Sequence, residues 1–313
     1  MTEQDQTNKN YSFQDDSIDF KELLNLIWDG KKLIILITAV FALCSVLFAS
    51  SLTNYYKSQT VLTTAEGSNE MGSLSRYNSI ASMAGISMPS SGLDKGSLIV
   101  NTIMSRAFLK HLLSFEDVLP SIMAAQSYDI EKKQLVFNSN IYDATNKKWL
   151  IAKPSYIETY DIYMEQLTVS YDKNLGLIHV HTEHMSPIFA KEFLDLIIKE
   201  TDTLLRQKDL KQSSDALDYL LSEISKTSLV EIKSSMNQLI QSQLETQMMA
   251  KISTDYALMV IEPPFIPEKK FRPSRSLIYL FGTMLGLVIA ILWIVMRHFY
   301  GLTGTTMPSV RHG

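Results

Sequence analysis

Two stretches of twenty residues without one charged side chain constrain this chain more than anything else in it. Residues 33–52 (LIILITAVFALCSVLFASSL) and 277–296 (LIYLFGTMLGLVIAILWIVM) each hold about a dozen Leu, Ile, Val or Phe. A hydrocarbon core takes about 20 residues of helix to cross. At roughly −0.3 to −0.6 kcal/mol per such residue near a helix centre, insertion is favoured by several kcal/mol, and no charge opposes it. A buried core helix would seldom stay uncharged over that length.

The flanks agree with two membrane spans. Trp28, Lys31 and Lys32 precede the first run, and Tyr55, Tyr56 and Lys57 follow it. Tyr279 and Trp293 lie near opposite ends of the second, with Arg297, His298 and Tyr300 beyond. Amphipathic rings and snorkelling bases are enriched at membrane borders. A cleaved signal peptide is disfavoured, because the first run starts behind an acidic polar segment and no clean small-x-small site follows it.

Two spans put both termini on one side. Lys21, Lys31 and Lys32 favour a cytoplasmic N-terminus, whereas Lys269, Lys270, Arg272 and Arg275 crowd the loop side of the second span. The first span usually dominates, and long loops translocate largely regardless of charge. The expected layout is a cytoplasmic segment 1–32, a span at 33–52, a large domain at 53–276 on the far side, a span at 277–296 and a cytoplasmic tail 297–313. The tails are too short for an output domain. The net charge of −4 averages over different solvents and decides little. The only cysteine, Cys44, falls inside a span, so no disulfide or zinc framework exists.

The central domain reads as mixed α and β. A strand leaves the first span at KSQTVLTTAE. Residues 67–96 are rich in Ser, Gly and Met, with one short helix expected at 77–84. Helix is expected over 97–113 and a hairpin over 132–149. Ser155 opens a helix carrying Tyr156, Tyr160 and Tyr163. Residues 167–171 and 177–182 flank the turn DKNLG, the clearest hairpin in the chain. Ser186 then caps a helix with Pro187 at its first position. A helical hairpin is expected over about 187–253, its first arm running to about 226 and carrying only a narrow apolar stripe (Phe193, Ile197, Leu204, Leu210, Leu217, Leu221, Ile224). A strand at 256–261 and a proline-rich connector at 263–275 lead back to the membrane. Pro263, Pro264, Pro267 and Pro273 stiffen that connector as far as Arg275.

These pieces, in this order, resemble the Wzz-type polysaccharide co-polymerases, the family of O-antigen chain-length determinants of lipopolysaccharide. The resemblance runs from about Ile18 to Met296. It rests on IDFKELLNLIWDGKK before the first span, on VSYDKNLGLIHVHTEHMSPIFAKEFLDLII, on KTSLVEIKSSMNQLIQSQLETQMMA, and most of all on VIEPPFIPEKKFRPSRSLIYLFGTMLG. It implies a membrane protein of α+β class, with two transmembrane helices flanking a periplasmic α/β base that bears a long helical extension. It also implies a homo-oligomeric ring in the bacterial inner membrane. The partners implied are the membrane-embedded polysaccharide polymerase, the growing lipid-linked polysaccharide and membrane lipid; no nucleic acid, cofactor or catalytic residue is. The connector departs from the family pattern where Glu268, Lys269 and Lys270 interrupt its prolines.

Four constellations stand out. Gly282, Gly286 and Ala290 form a small-residue stripe on the second run, and Thr38, Ala42, Ser45 and Ala49 form one on the first. Helices in lipid associate where small residues let backbones approach, so a helix–helix interface is expected there. His179, His181, Glu183 and His184 could suggest a metal, but without cysteine or a spaced helical ligand a solvated strand face is the better reading. The tyrosines at 156, 160 and 163 fit core or subunit contact better than a sugar platform. Met71, Met83 and Met88 read as adaptable packing or disorder.

No GxxxxGK[ST] loop is present, which excludes a fused P-loop kinase. Three function classes follow. The first is a non-enzymatic scaffold regulating polymerisation. The second is a two-span sensor, for which the tails offer no signalling domain. The third is an adaptor for a separate tyrosine kinase in capsule export.

Overall fold

The structure is a computed structural model and describes Trp28, residues 30–65 and residues 94–303, with side chains to 297. The helix expected at 77–84 and the methionines Met71, Met83 and Met88 lie outside the described residues. The chain divides into two compact units, residues 1–52 with 273–313, and residues 53–272.

In the first unit, α1 (Lys31–Ser51) packs along the apolar helix that contains the second run. That helix is Arg275–Thr303, the eighth among the described residues and labelled α8 below. Both are long and apolar enough to cross a membrane, at mean hydropathies of 2.7 and 2.5. α1 carries no charged residue after Lys31 and Lys32 in its first turn.

The second unit begins with β1 (Tyr56–Thr64). Helices α2 (Lys95–Ile103), α3 (Arg106–Leu112) and α4 (Val118–Met123) follow. The single helix expected over 97–113 is two. Ser105 takes an extended backbone and its hydroxyl accepts the Phe108 N–H, which makes it the N-cap of a new helix. Two small hairpins come next, β2 (Ala125–Asp129) with β3 (Gln134–Phe137), and β4 (Tyr142–Asp143) with β5 (Lys148–Trp149). The hairpin expected over 132–149 is thereby corrected, because Gln134–Phe137 pairs backward with Ala125–Asp129. Asp129 Oδ1 accepts the Glu131 and Lys132 N–H groups, fixing a turn ahead of the expected one.

Helix α5 (Tyr156–Gln166) opens on a complete capping box between Ser155 and Glu158. Strands β6 (Leu167–Asp172) and β7 (Leu177–His184) form the hairpin expected at DKNLG. Asp172 Oδ1 accepts from the Asn174 and Leu175 N–H groups, and Gly176 takes the positive φ (+68°) that closes the turn. Ser186 caps α6 (Pro187–Ile224), whose 38 residues reach roughly 57 Å at 1.5 Å each. It pairs with α7 (Val230–Ile252). Strand β8 (Leu258–Glu262) returns the chain to the sheet, which has the order β6-β7-β1-β8 and is antiparallel at each pairing.

One core lies between this sheet and the helices. Leu62, Ile178 and Val180 from the strands meet Ile103, Phe108 and Leu109, then Leu194 and Ile197 of α6, all buried. Tyr163 is fully buried there; its hydroxyl donates to the Ile103 carbonyl at 2.8 Å, and burial raises its pKa. Tyr160 donates likewise to Met104, so both satisfy carbonyls at the end of α2. Tyr156 is exposed, with Lys110 over its ring.

The core ends part-way along α6. Its buried side chains stop at Leu217, and α7 buries only Met236 and Ala250. Tyr219, Leu221, Leu229, Val230, Ile232 and Leu239 are exposed around the distal turn.

Candidate functional site

The small-residue stripes face each other within the helix pair. A Cβ built on Gly282 would stand 2.5 Å from the Ser45 side chain, and one on Gly286 would stand 2.6 Å from Phe41 Cβ and 3.4 Å from Thr38 Cα. Neither position has room for an alanine without the helices parting. Ala49 and Ala290 are wholly buried, and Ala290 packs with Ile34 and Ile294. Ser45 does more than stay small, since its hydroxyl donates across the seam to the Ile278 carbonyl at 2.9 Å. Thr38 Oγ1 is buried with no hydrogen-bond partner among the described residues. Ala42 is half-buried on the same helix.

In the second unit the connector is fastened in a way the sequence alone did not reveal. Prolines 263, 264 and 267 have no N–H to give to β1. Instead β1 supplies the donors: the Thr60 hydroxyl to the Glu262 carbonyl at 2.6 Å, and the Ser58 hydroxyl to the Phe265 carbonyl at 2.8 Å. Both hydroxyls belong to buried residues, which need partners. The stitching ends where Tyr55 and Arg272 pair as an isolated bridge. There the Tyr55 N–H donates to the Arg272 carbonyl, and the Phe271 N–H to the Tyr55 carbonyl. Pro267 is buried, Pro264 half-buried and Pro263 exposed. Pro273 and Arg275 belong to the other unit.

The histidines on β7 sit in graded environments. His179 is exposed and His181 half-buried. Glu183 is buried, holding Arg272 at 2.8 Å with one oxygen while the other lies 3.9 Å from His181. Burial, then the positive charges of Lys57 and Arg272, lower the His181 pKa. His184 turns into the core. Its Nε2 donates to the Ser121 carbonyl at 2.9 Å and its Nδ1 accepts the Ser186 N–H at 3.1 Å. Burial pushes its pKa down to about 4. The solvated face expected of these residues therefore holds at His179 and fails at Glu183 and His184. Among the described residues no cluster of three metal-ligating side chains exists.

Asp202 is a second fastening that sequence reading missed. Its Oδ1 accepts the Tyr256, Ala257 and Leu258 N–H groups, while Oδ2 pairs with Arg206 at 2.9 Å. Arg206 also donates to the Ala250 and Thr254 carbonyls, so one ion pair ties α6 to the end of α7 and the start of β8. An open groove of about 550 Å³ beside it is lined by Asp195, Lys199, Arg206, Asp255 and Pro263. The only available signal was the Asp–Arg spacing of four residues, which ordinary surface pairs share.

Fastenings and seams are what the described residues build at these positions. Residues 16–114 match the family model described as Wzz, chain length determinant protein. The matched segment, about a third of the chain, is similar to that chain length determinant domain. The Wzz match takes in α1, β1, α2 and α3. A 64-residue stretch is 30% identical to the capsule polysaccharide export inner-membrane protein KpsE of Escherichia coli. That match covers 20% of this chain and only 17% of KpsE. Among solved structures, a full-length bacterial polysaccharide co-polymerase is similar over 92% of this chain and all of its own, at 12% identity and a TM-score of 0.45. A fragment of WzzB, a polysaccharide co-polymerase from Salmonella Typhimurium, covers 70% of this chain and all of its own, at 13% identity and a TM-score of 0.31.

Proposed function

We propose that this protein is a non-enzymatic regulator of the modal length of a surface polysaccharide, the O-antigen of lipopolysaccharide, and works as an oligomeric scaffold in the bacterial inner membrane. In this reading the two apolar helices span the membrane, residues 56–275 lie in the periplasm and both termini are cytoplasmic. The Wzz match carries the reading, because it covers the first span and the start of the base that follows it, through α3. The exposed apolar stripe on the distal α6–α7 hairpin supports self-association, since one copy leaves Tyr219, Leu221, Val230 and Ile232 in water. Side-by-side packing of such helices closes into a ring when the contact is heterologous and its rotation closes. The polymerase and its lipid-linked product are the partners of such a scaffold.

The test is deletion of the gene followed by gel analysis of lipopolysaccharide. Loss of the modal cluster, with short and long chains both still present, is the expected result. The local match to KpsE supports a second reading, an adaptor for capsule export acting with a separate tyrosine kinase. Under that reading the ladder is unchanged and the capsule is lost.

A further inference from the structure

We propose that the charged break in the connector is a lipid-contacting face, in which Phe265, Ile266 and Phe271 enter the bilayer interface while Lys57, Lys269 and Lys270 engage the phosphates of anionic phospholipid headgroups. The proposal rests on the reading of α1 and α8 as membrane spans. Three observations carry it. The first is placement. The connector runs back along β1 to the Tyr55–Arg272 bridge, so both ends of the domain are joined at one point. Arg272 is three residues from the start of α8 and Tyr55 four from the end of α1. Fully extended, those links reach no more than about 11 Å and 14 Å. Two such short tethers keep the Tyr55–Arg272 end of the face within about 14 Å of the ends of the spans.

The second observation is exposed apolar area where a soluble protein gains nothing from it. Phe265, Ile266 and Phe271 are 44%, 52% and 47% exposed on a segment whose backbone is fixed. The third is charge. Lys57 Nζ lies 4.9 Å over the Phe271 ring, with the Arg272 guanidinium 5.7 Å from it. Arg272 is neutralised by Glu183, but neither Lys269 nor Lys270 pairs with a carboxylate among the described residues. Against these bases stands one exposed acid in the run, Glu268. Aromatic and apolar side chains interleaved with lysines match an interface with hydrocarbon below and phosphate above.

The test uses the full chain in nanodiscs of mixed phosphatidylglycerol and phosphatidylcholine. Cys44→Ser frees the chain of its own thiol, and single cysteines at Ile266, Phe271, Val230 or Leu285 carry a spin label. Labels at 266 and 271 should show an oxygen-to-nickel accessibility ratio several-fold above that at Val230, on the distal hairpin. A ratio equal to that at Val230 overturns the proposal. A nickel-accessible label at Leu285 would instead sink the membrane-span reading beneath it. For the headgroup, native mass spectrometry of retained lipids should show phosphatidylglycerol enriched on the wild type. Each lysine at an anionic surface is worth roughly a fivefold preference. The Lys57→Gln, Lys269→Gln, Lys270→Gln variant should lose the enrichment. If it retains it, the anionic-headgroup assignment is wrong.

Discussion

The two units of this molecule sort their side chains in opposite ways. In the α/β unit the largest apolar groups go inside: Tyr163, Phe108, Leu194 and Ile197 are buried to the last few per cent of their surface. In the helix pair the small groups go inside and the large ones out. Ala49 and Ala290 are completely buried while Phe48 and Phe281 stand 61% and 65% exposed. Water drives the first arrangement, since apolar surface removed from it yields about 25 cal/mol per Å². That drive is absent where the surroundings are as apolar as the side chains, and close backbone approach decides instead. The contrast is itself an argument that the helix pair lives in a different solvent.

The sharpest way to break this comparison is to shorten one apolar side chain in each unit. Leu194→Ala should cost about 2–5 kcal/mol, as buried leucines do, read as thermal unfolding of the α/β unit in detergent. Leu43→Ala, on the outward face of α1, should leave that transition where it was. Equal losses at both positions would mean that α1 is an ordinary core helix.

The buried polar side of the α/β unit gives the next effect. His184 is neutral when folded, with a pKa near 4, while the unfolded chain takes up its proton at about 6.5. As pH falls below 6.5 the unfolded state is favoured first. Stability is therefore lost between about pH 6.5 and 4, by roughly 3 kcal/mol in total, and no further loss from this group follows below. The lowered pKa of His181 adds in the same direction. Chemical denaturation from pH 7.5 to 4 should show this decline as a difference between wild type and His184→Gln. A variant with the same slope would mean that His184 does not carry it.

How much of this was legible beforehand follows the same division. The two uncharged runs, the DKNLG turn and the Ser186-Pro187 helix start are local signals, and each element lies where those residues imply. The break at Ser105 was not legible, because a serine inside a helical pattern reads the same whether it caps or merely interrupts. The partner of Gln134–Phe137 was missed for another reason: both neighbouring turns carry Asp or Asn, and pattern alone does not choose between them. Long-range fastenings left almost no trace. Nothing near Asp202 announces three amides from residues 256–258, where the chain enters β8 at Leu258. The hydroxyls of Ser58 and Thr60 look like ordinary strand residues until the prolines opposite them are known to lack donors.

The seam offers the third test. Replacing Gly282 and Gly286 together by Leu leaves the helix hydrophobic enough to insert but drives side chains into Ser45 and Phe41. Overpacking of this kind typically costs about 1–3 kcal/mol. We predict normal expression and a folded α/β unit, a longer α1–α8 distance by pulsed electron resonance, and a shifted or lost modal chain length. A wild-type polysaccharide ladder despite the longer distance would make the helices mere anchors.

The smallest effect isolates one hydrogen bond. Ser45 donates across the seam to the Ile278 carbonyl, whereas Ser50 and Ser51 donate back into their own helix, to Leu47 and Phe48. Hydrogen bonds between helices in membranes average only about 0.6 kcal/mol, because the separated helices find other partners for the same groups. Ser45→Ala should therefore weaken the helix pair by about that amount, read as a small fall in its thermal dissociation in detergent. Ser50→Ala and Ser51→Ala should not move it, since each loses only a contact that the separated helix keeps. The size of the loss discriminates between solvents. If Ser45→Ala costs several times more than 0.6 kcal/mol, its hydroxyl has no substitute partner when the helices part. The seam would then be held by a polar contact, with the small residues serving mainly to let Ser45 reach across.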